Sequence, residues 1–188
     1  MRKNKFTLVS VSALLLITLF TAVLLFVGGC AKKGAGGGKS LPSDSESSSD
    51  KSVKALAEDL CEGTDAPAYE ILSLDKDNFR DYSFASWIEG SEAACAEGQI
   101  SISAFSMVLV RVPDGKSEML AKEMAEKADL RKWICVEAEA GKIIYNENYV
   151  LMVMGTEKTC TGIHDNFLRT FGDSGIKTLN IKNAESQS

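Results

Sequence analysis

Between Gly141 and Gly155 the chain reads GKIIYNENYVLMVMG, two apolar arms joined by a short polar turn. Ile143, Ile144 and Tyr145 form one arm, Tyr149 to Met154 the other, and Asn146-Glu147-Asn148 the connection, a pattern that predicts a β-hairpin. A tight hairpin makes neighbouring strands antiparallel, so this segment excludes a purely parallel sheet. Three turn residues predict a bulge-type loop.

The segments before and after it are read against that hairpin. Val53, Leu56, Ala57 and Leu60 recur at helical spacing, with Asp50 or Ser52 to cap the start and Gly63 to stop it. Thr64 to Arg80 reads as irregular. Tyr82 to Ile88 (YSFASWI) is aromatic and apolar enough for a strand. Ile100 to Val112 first alternates and then becomes continuously apolar, as expected of a strand running from a sheet edge into its buried middle. Pro113 ends it and Asp114 is positioned to cap a helix that carries Glu118/Lys122 and Glu123/Lys127 pairs in the favourable i,i+4 order. Its other side offers Leu120, Ala121, Met124, Ala125 and Ala128, small enough for close packing on a sheet. Thr156 caps a last helix with Cys160, Ile163, Phe167 and Phe171 on one face and Gly172 at its C′ position.

The expected order is helix, strand, strand, helix, strand, strand, helix. This favours an α+β domain over residues 51–172, a mostly antiparallel sheet of about four strands with helices on one face. Residues 173–188 read as a polar, frayed tail.

Residues 1–29 do not belong to that fold. A basic start (Arg2, Lys3, Lys5) precedes an apolar run that is densest from Ala13 to Val27, the layout of an export signal. The run meets Val27-Gly28-Gly29-Cys30, which resembles the lipobox of bacterial lipoproteins. That resemblance implies cleavage before Cys30 and acylation of its thiol, leaving the protein held by membrane lipid on the extracytoplasmic face. The alternative is an uncleaved anchor, since Phe6 to Val27 at 1.5 Å per residue would just span a hydrocarbon core of roughly 30 Å. Ala31 to Asp50 is Gly/Ser-rich and reads as a flexible tether with a typical reach of roughly 25 Å. Losing residues 1–29 removes three of the 21 basic residues and no acidic one, taking the net charge from −5 to about −8. An acidic, exported domain without a basic stripe disfavours nucleic acid as a partner.

Motifs that carry chemistry fail on inspection. Gly34 to Ser40 (GAGGGKS) ends like a phosphate-binding loop, but the first required glycine is Lys33 and no strand precedes it. Asp75, Asp77 and Asp81 resemble a calcium loop until Phe79, Arg80 and Ser86 occupy positions that need other residues, which leaves a solvated turn or helix start. No metal or other cofactor is implied. With Cys30 assigned to lipid, Cys61, Cys95, Cys135 and Cys160 remain without any C-x-x-C spacing. They are compatible with two disulfides or with free thiols, and the apolar neighbours of Cys61 and Cys160 favour buried thiols. Cys160 and His164, four apart on one helix, are the sharpest catalytic candidates, with Asp165 pointing elsewhere. Trp87 and Trp133 are candidate ligand-groove residues, though core is the commoner fate of such aromatics.

MVLVRVPDGKSEMLAKEM, GKIIYNENYVLMVMG and the capped helix after it resemble a family of uncharacterised lipoproteins of Gram-positive gut bacteria. The resemblance implies an α+β domain on the outer face of a membrane and supplies no catalytic residues. The expected function is therefore a non-enzymatic binding or interaction module, whose partner is an envelope protein, a polymer or a small solute. The alternative is a cysteine-dependent envelope enzyme or redox protein. Obligate assembly into an envelope complex is a third expectation.

Overall fold

A computed structural model describes residues 51–99 and 103–182. The signal, Val27, Gly28, Gly29, Cys30 and the whole tether lie outside the described residues. No helix among the described residues is long and apolar enough to cross a membrane.

The first helix, α1 (Val53–Cys61), starts where Ser52 accepts the N–H of Ala55 through its hydroxyl, and Gly63 turns the chain away at φ +68°. The last, α4 (Glu157–Phe171), starts at Thr156, which accepts the N–H of Thr159, and ends on Gly172 at φ +79°. Both follow the caps visible in the sequence, because a cap is a local bond. The middle helix, α3 (Ser117–Lys127), carries both Glu–Lys pairs, at 2.8 and 2.7 Å. Asp114 does not cap it. Its carboxylate accepts instead from the side-chain amide of Asn148.

The hairpin forms from β4 (Ala140–Tyr145) and β5 (Tyr149–Gly155). The expected bulge is absent, since the register runs without insertion from Ala140↔Gly155 to Tyr145↔Val150. Asn146 closes the turn in its place, its side-chain carbonyl accepting the N–H groups of Asn148 and Tyr149 at 3.0 and 2.8 Å. An Asn side chain that takes over a backbone bond lets the turn residues keep negative φ.

Two expected segments differ more. Tyr82 to Ile88 is not a strand. A short helix, α2 (Phe79–Ser83), ends at Phe84 in the left-handed conformation, and Phe79 and Trp87 meet edge to face at 5.3 Å. These aromatics plug the core from a loop, so their apolar character carried no strand periodicity. Of the long strand expected from Ile100, residues 100–102 lie outside the described residues and β3 (Ser106–Arg111) is the strand that forms, with Gly98 donating to the carbonyl of Phe105 just before it. It lies mid-sheet along its whole length rather than entering from an edge.

Three further strands complete the sheet: β1 (Tyr69–Leu74), within the stretch read as irregular, β2 (Glu92–Gly98), and β6 (Lys177–Asn180), within the expected frayed tail. The sheet has six strands rather than about four, in the order β1-β2-β3-β5-β4-β6, and all neighbours are antiparallel. After β3 the chain passes through α3 and skips one position, which β5 then fills.

The helices do not share one face. Met107, Leu109, Leu151 and Val153 point toward α1 and α4, whereas Val108, Val110, Val150 and Met152 point toward α2 and α3. Successive strand residues face opposite sides, so a strand that is apolar at every position must be covered on both. The result is an antiparallel sheet between two helical layers. Small residues permit the close approach: Ala94 and Ala96 of β2 lie beneath Leu56, Ala57 and Leu60 of α1. At Gly141 a Cβ would sit 2.6 Å from Leu130 and 2.8 Å from Ile181, so only glycine lets the C-terminal segment close over β4.

Candidate functional site

The cysteine–histidine pair does not assemble. Cys160 is fully buried, its thiol directed at the backbone carbonyls of Ala140 (3.6 Å) and Val153 (4.0 Å). Burial pushes this thiol up to about 12, the opposite of what a nucleophile needs. His164 turns to Asp165, Nδ1 lying 3.3 Å from Oδ1, so Asp165 is its partner and does not point elsewhere. A neighbouring pair on an exposed helix rim has no nucleophile to activate.

All four cysteines of the domain are free thiols. Cys95 lies on the α2/α3 side of the sheet and Cys61 and Cys160 on the α1/α4 side, so the sheet itself separates them. Cys61 is likewise pushed up to about 12 by burial, and Cys95 is raised by burial and by Glu97 beside it. Only Cys135 is exposed. Among the described residues no group of acidic, histidine or cysteine side chains is arranged to hold a metal ion.

One polar cluster built from three separate stretches of chain has no signature in the sequence. Glu97 at the end of β2 and Ser106 at the start of β3 are cross-strand partners, and the Ser106 hydroxyl donates to Glu97 Oε2 at 2.8 Å. Lys132, from the loop between α3 and β4, reaches down to both, with Nζ 2.9 Å from Glu97 Oε2 and 3.1 Å from Ser106 Oγ. Tyr82 and Trp133 flank the ammonium at 5.5 and 5.3 Å, geometry at which aromatic faces attract cations. The loop is shaped for this. Asp129 accepts the N–H of Arg131 through its carboxylate and that of Lys132 through its carbonyl, and Ala138 donates back to Leu130.

A serine beside a lysine is a nucleophile–base pair when the amine is neutral and the hydroxyl can be reached. The second condition fails, because Ser106 has no exposed surface, and the Lys132 side chain is engaged with Glu97. The cluster is a clasp, fixing the loop to the sheet.

What the clasp holds out is apolar. Ile134 has a relative exposure of 101%, Cys135 beside it is exposed, and Trp133 and Val136 are half-buried. Ile134 and Met119 are the two exposed large apolar side chains among the described residues. Trp133 thus serves partly as a wall of the clasp and partly as surface, whereas Trp87 packs on Phe79 at the core boundary.

The loop and the chain's entry into the domain lie at opposite ends of β3. Arg111, its last residue, donates to the carbonyl of Lys51 at 2.6 Å, while Ser106, its first, binds Lys132. Five residue steps at about 3.4 Å each separate the two ends by roughly 17 Å. No family model, curated protein or solved structure matches the chain.

Proposed function

We propose that the protein is a lipid-anchored lipoprotein of the extracytoplasmic face, whose domain is a non-enzymatic binding module for another envelope component. The observation that carries the reading is Val27-Gly28-Gly29-Cys30 at the end of an apolar run, followed by a Gly/Ser-rich tether. Two acyl chains hold a protein on a bilayer stably, where one does so marginally. The clasped loop supports the binding role. A fully exposed isoleucine beside an exposed cysteine and a half-buried tryptophan forms a small apolar patch, and we read that patch as the partner-facing surface.

Intact-mass measurement of protein extracted from membranes tests the anchor. Loss of residues 1–29 with lipid added at Cys30 is expected; Met1 retained with Cys30 unmodified overturns it. A photo-crosslinking amino acid at position 134, in cells, tests the surface. A discrete adduct is expected, and crosslinking no stronger than at position 165 on the α4 rim overturns the role of the loop.

A further inference from the structure

The loop between α3 and β4 is attached to the rest of the domain at few points. Its base is closed by Ala138 donating to the carbonyl of Leu130 at 2.9 Å, and both residues are buried. Within it, residues 133–137 make no hydrogen bond with any described residue, and Arg131, Ile134, Cys135 and Glu137 are exposed. Among the described residues, Lys132 alone carries hydrogen bonds from residues 131–137 to the sheet, with Trp133 and Val136 half-buried beside it. A segment with so few buried contacts and backbone bonds opens locally, at a free energy well below that of global unfolding.

The site that receives the Lys132 ammonium belongs to the body of the domain. Ser106 gives its hydroxyl proton to Glu97 Oε2, which leaves the Ser106 oxygen to accept from the ammonium. The Cys95 thiol is also directed at Glu97 Oε2, at 3.7 Å. Tyr82 covers the ammonium from α2, and Trp133, next to Lys132, adds a second ring only while the loop is down. Without Lys132 the Glu97 carboxylate would be left mostly buried among neutral donors, so the site demands a cation. Its chemistry selects which one. Two oxygens are too few for calcium, which takes about six to eight, whereas a carboxylate, a hydroxyl and an aromatic face suit an organic ammonium. We propose that Glu97, Ser106 and Tyr82 form a receptor for a primary ammonium, occupied by Lys132 while the loop is down, and that lifting residues 131–137 admits the ammonium of a small amine.

Lys132 is then a competitor built into the fold. The chain holds it beside the receptor at an effective concentration of about millimolar or more. An external amine binds only as far as the loop opens, and its apparent affinity is reduced by that fraction. Lys132→Ala removes the atoms of a propylammonium ion, which makes that amine the matched probe. Binding here requires neither the lipid anchor nor a partner at Ile134.

The test uses the full chain in non-ionic detergent. Amide and indole NMR signals are followed as propylammonium chloride is added to about 0.3 M, with sodium chloride at equal ionic strength as the reference. Expected are saturable shifts at Tyr82, Glu97, Ser106 and the Trp133 indole, and movement of the 131–137 signals toward their positions in Lys132→Met. Lys132→Ala is expected to bind propylammonium about tenfold or more tightly than the native chain, its competitor being gone. The native titration decides the matter should that variant not fold. A response to propylammonium no different from that to sodium overturns the proposal. So does equal binding of tetramethylammonium, which has no N–H to give Glu97 and Ser106. Binding to Lys132→Ala with the native loop unmoved overturns it as well, because Lys132 would then be a fixed part of the fold.

Discussion

Lys132 Nζ lies 2.9 Å from Glu97 Oε2, joining a loop to a strand 35 residues earlier in the chain, with Ser106 bridging the two. The side chains are only 16% and 19% exposed, so the pair is neither a surface contact of negligible weight nor a fully desolvated one. Losing one partner leaves the other charge poorly solvated. Lys132→Met is expected to destabilise the domain by about 1–3 kcal/mol, and Lys132→Met with Glu97→Gln by less than the sum of the two single changes. Chemical denaturation of the four proteins measures this, and simple additivity would reduce the clasp to an incidental contact.

Thiol accessibility separates Cys135 from the other three. Native protein treated with iodoacetamide is expected to be alkylated at Cys135 while Cys61, Cys95 and Cys160 react only after denaturation, without reductant. Peptide mass mapping reads the outcome. A requirement for reductant would reveal a disulfide and contradict the four free thiols.

Alkaline pH should weaken the fold before acid chemistry of the surface matters. Burial pushes the Cys61 and Cys160 thiols up to about 12, above the ordinary thiol value of 9.0. Because the folded value is raised, the folded state holds its proton more tightly. The associated stability is complete below pH 9 and is lost as pH rises toward 12. The melting temperature is expected to fall across that window, and Cys160→Ala, whatever its own cost, to show a shallower fall. Parallel curves for the two proteins would exclude this source.

At low pH the direction reverses. Glu118, bonded to Lys122 and Lys177, and Glu123, bonded first to Lys127 and also to Ser86, are both held below the ordinary carboxylate range. Depressed values mean stability that is present above the unfolded carboxylate range and is lost as pH falls through the folded values. Glu118 is the more exposed of the two, at 50% against 22%, so Glu123 should dominate. Glu123→Gln is expected to flatten the acid limb of a stability–pH curve more than Glu118→Gln does, and the reverse ranking would assign the effect to the Lys177 contact.

Gly141→Ala probes how tightly the C-terminal segment closes. The added carbon would meet Leu130 and Ile181 well inside contact distance, and Ile181 donates its N–H to the Gly141 carbonyl beside it. Destabilisation of about 1–3 kcal/mol is expected, with faster proteolysis within β6. Unchanged cleavage there would show that Leu130 yields instead.

The features legible in the sequence are those whose causes are local. Ser52, Thr156 and Gly172 bound helices because a cap binds residues two or three positions away, and the hairpin arms at 143–145 and 149–154 meet across a turn encoded between them. β2 was hidden because EAACAEG is composed of poor strand formers, and its alanines make sense only once α1 lies on them. β6 was hidden because four mostly exposed residues have no apolar period of their own and become a strand only by pairing with β4. The two helical layers were hinted at by the unbroken apolar runs of β3 and β5, but which helix covers which side depends on the crossover through α3. Lys132, Glu97 and Ser106 carry no motif, and neither does the edge position of β1. Tertiary structure decides both, since a clasp needs separate segments brought together and β1 is an edge strand only once the other described strands have found their neighbours.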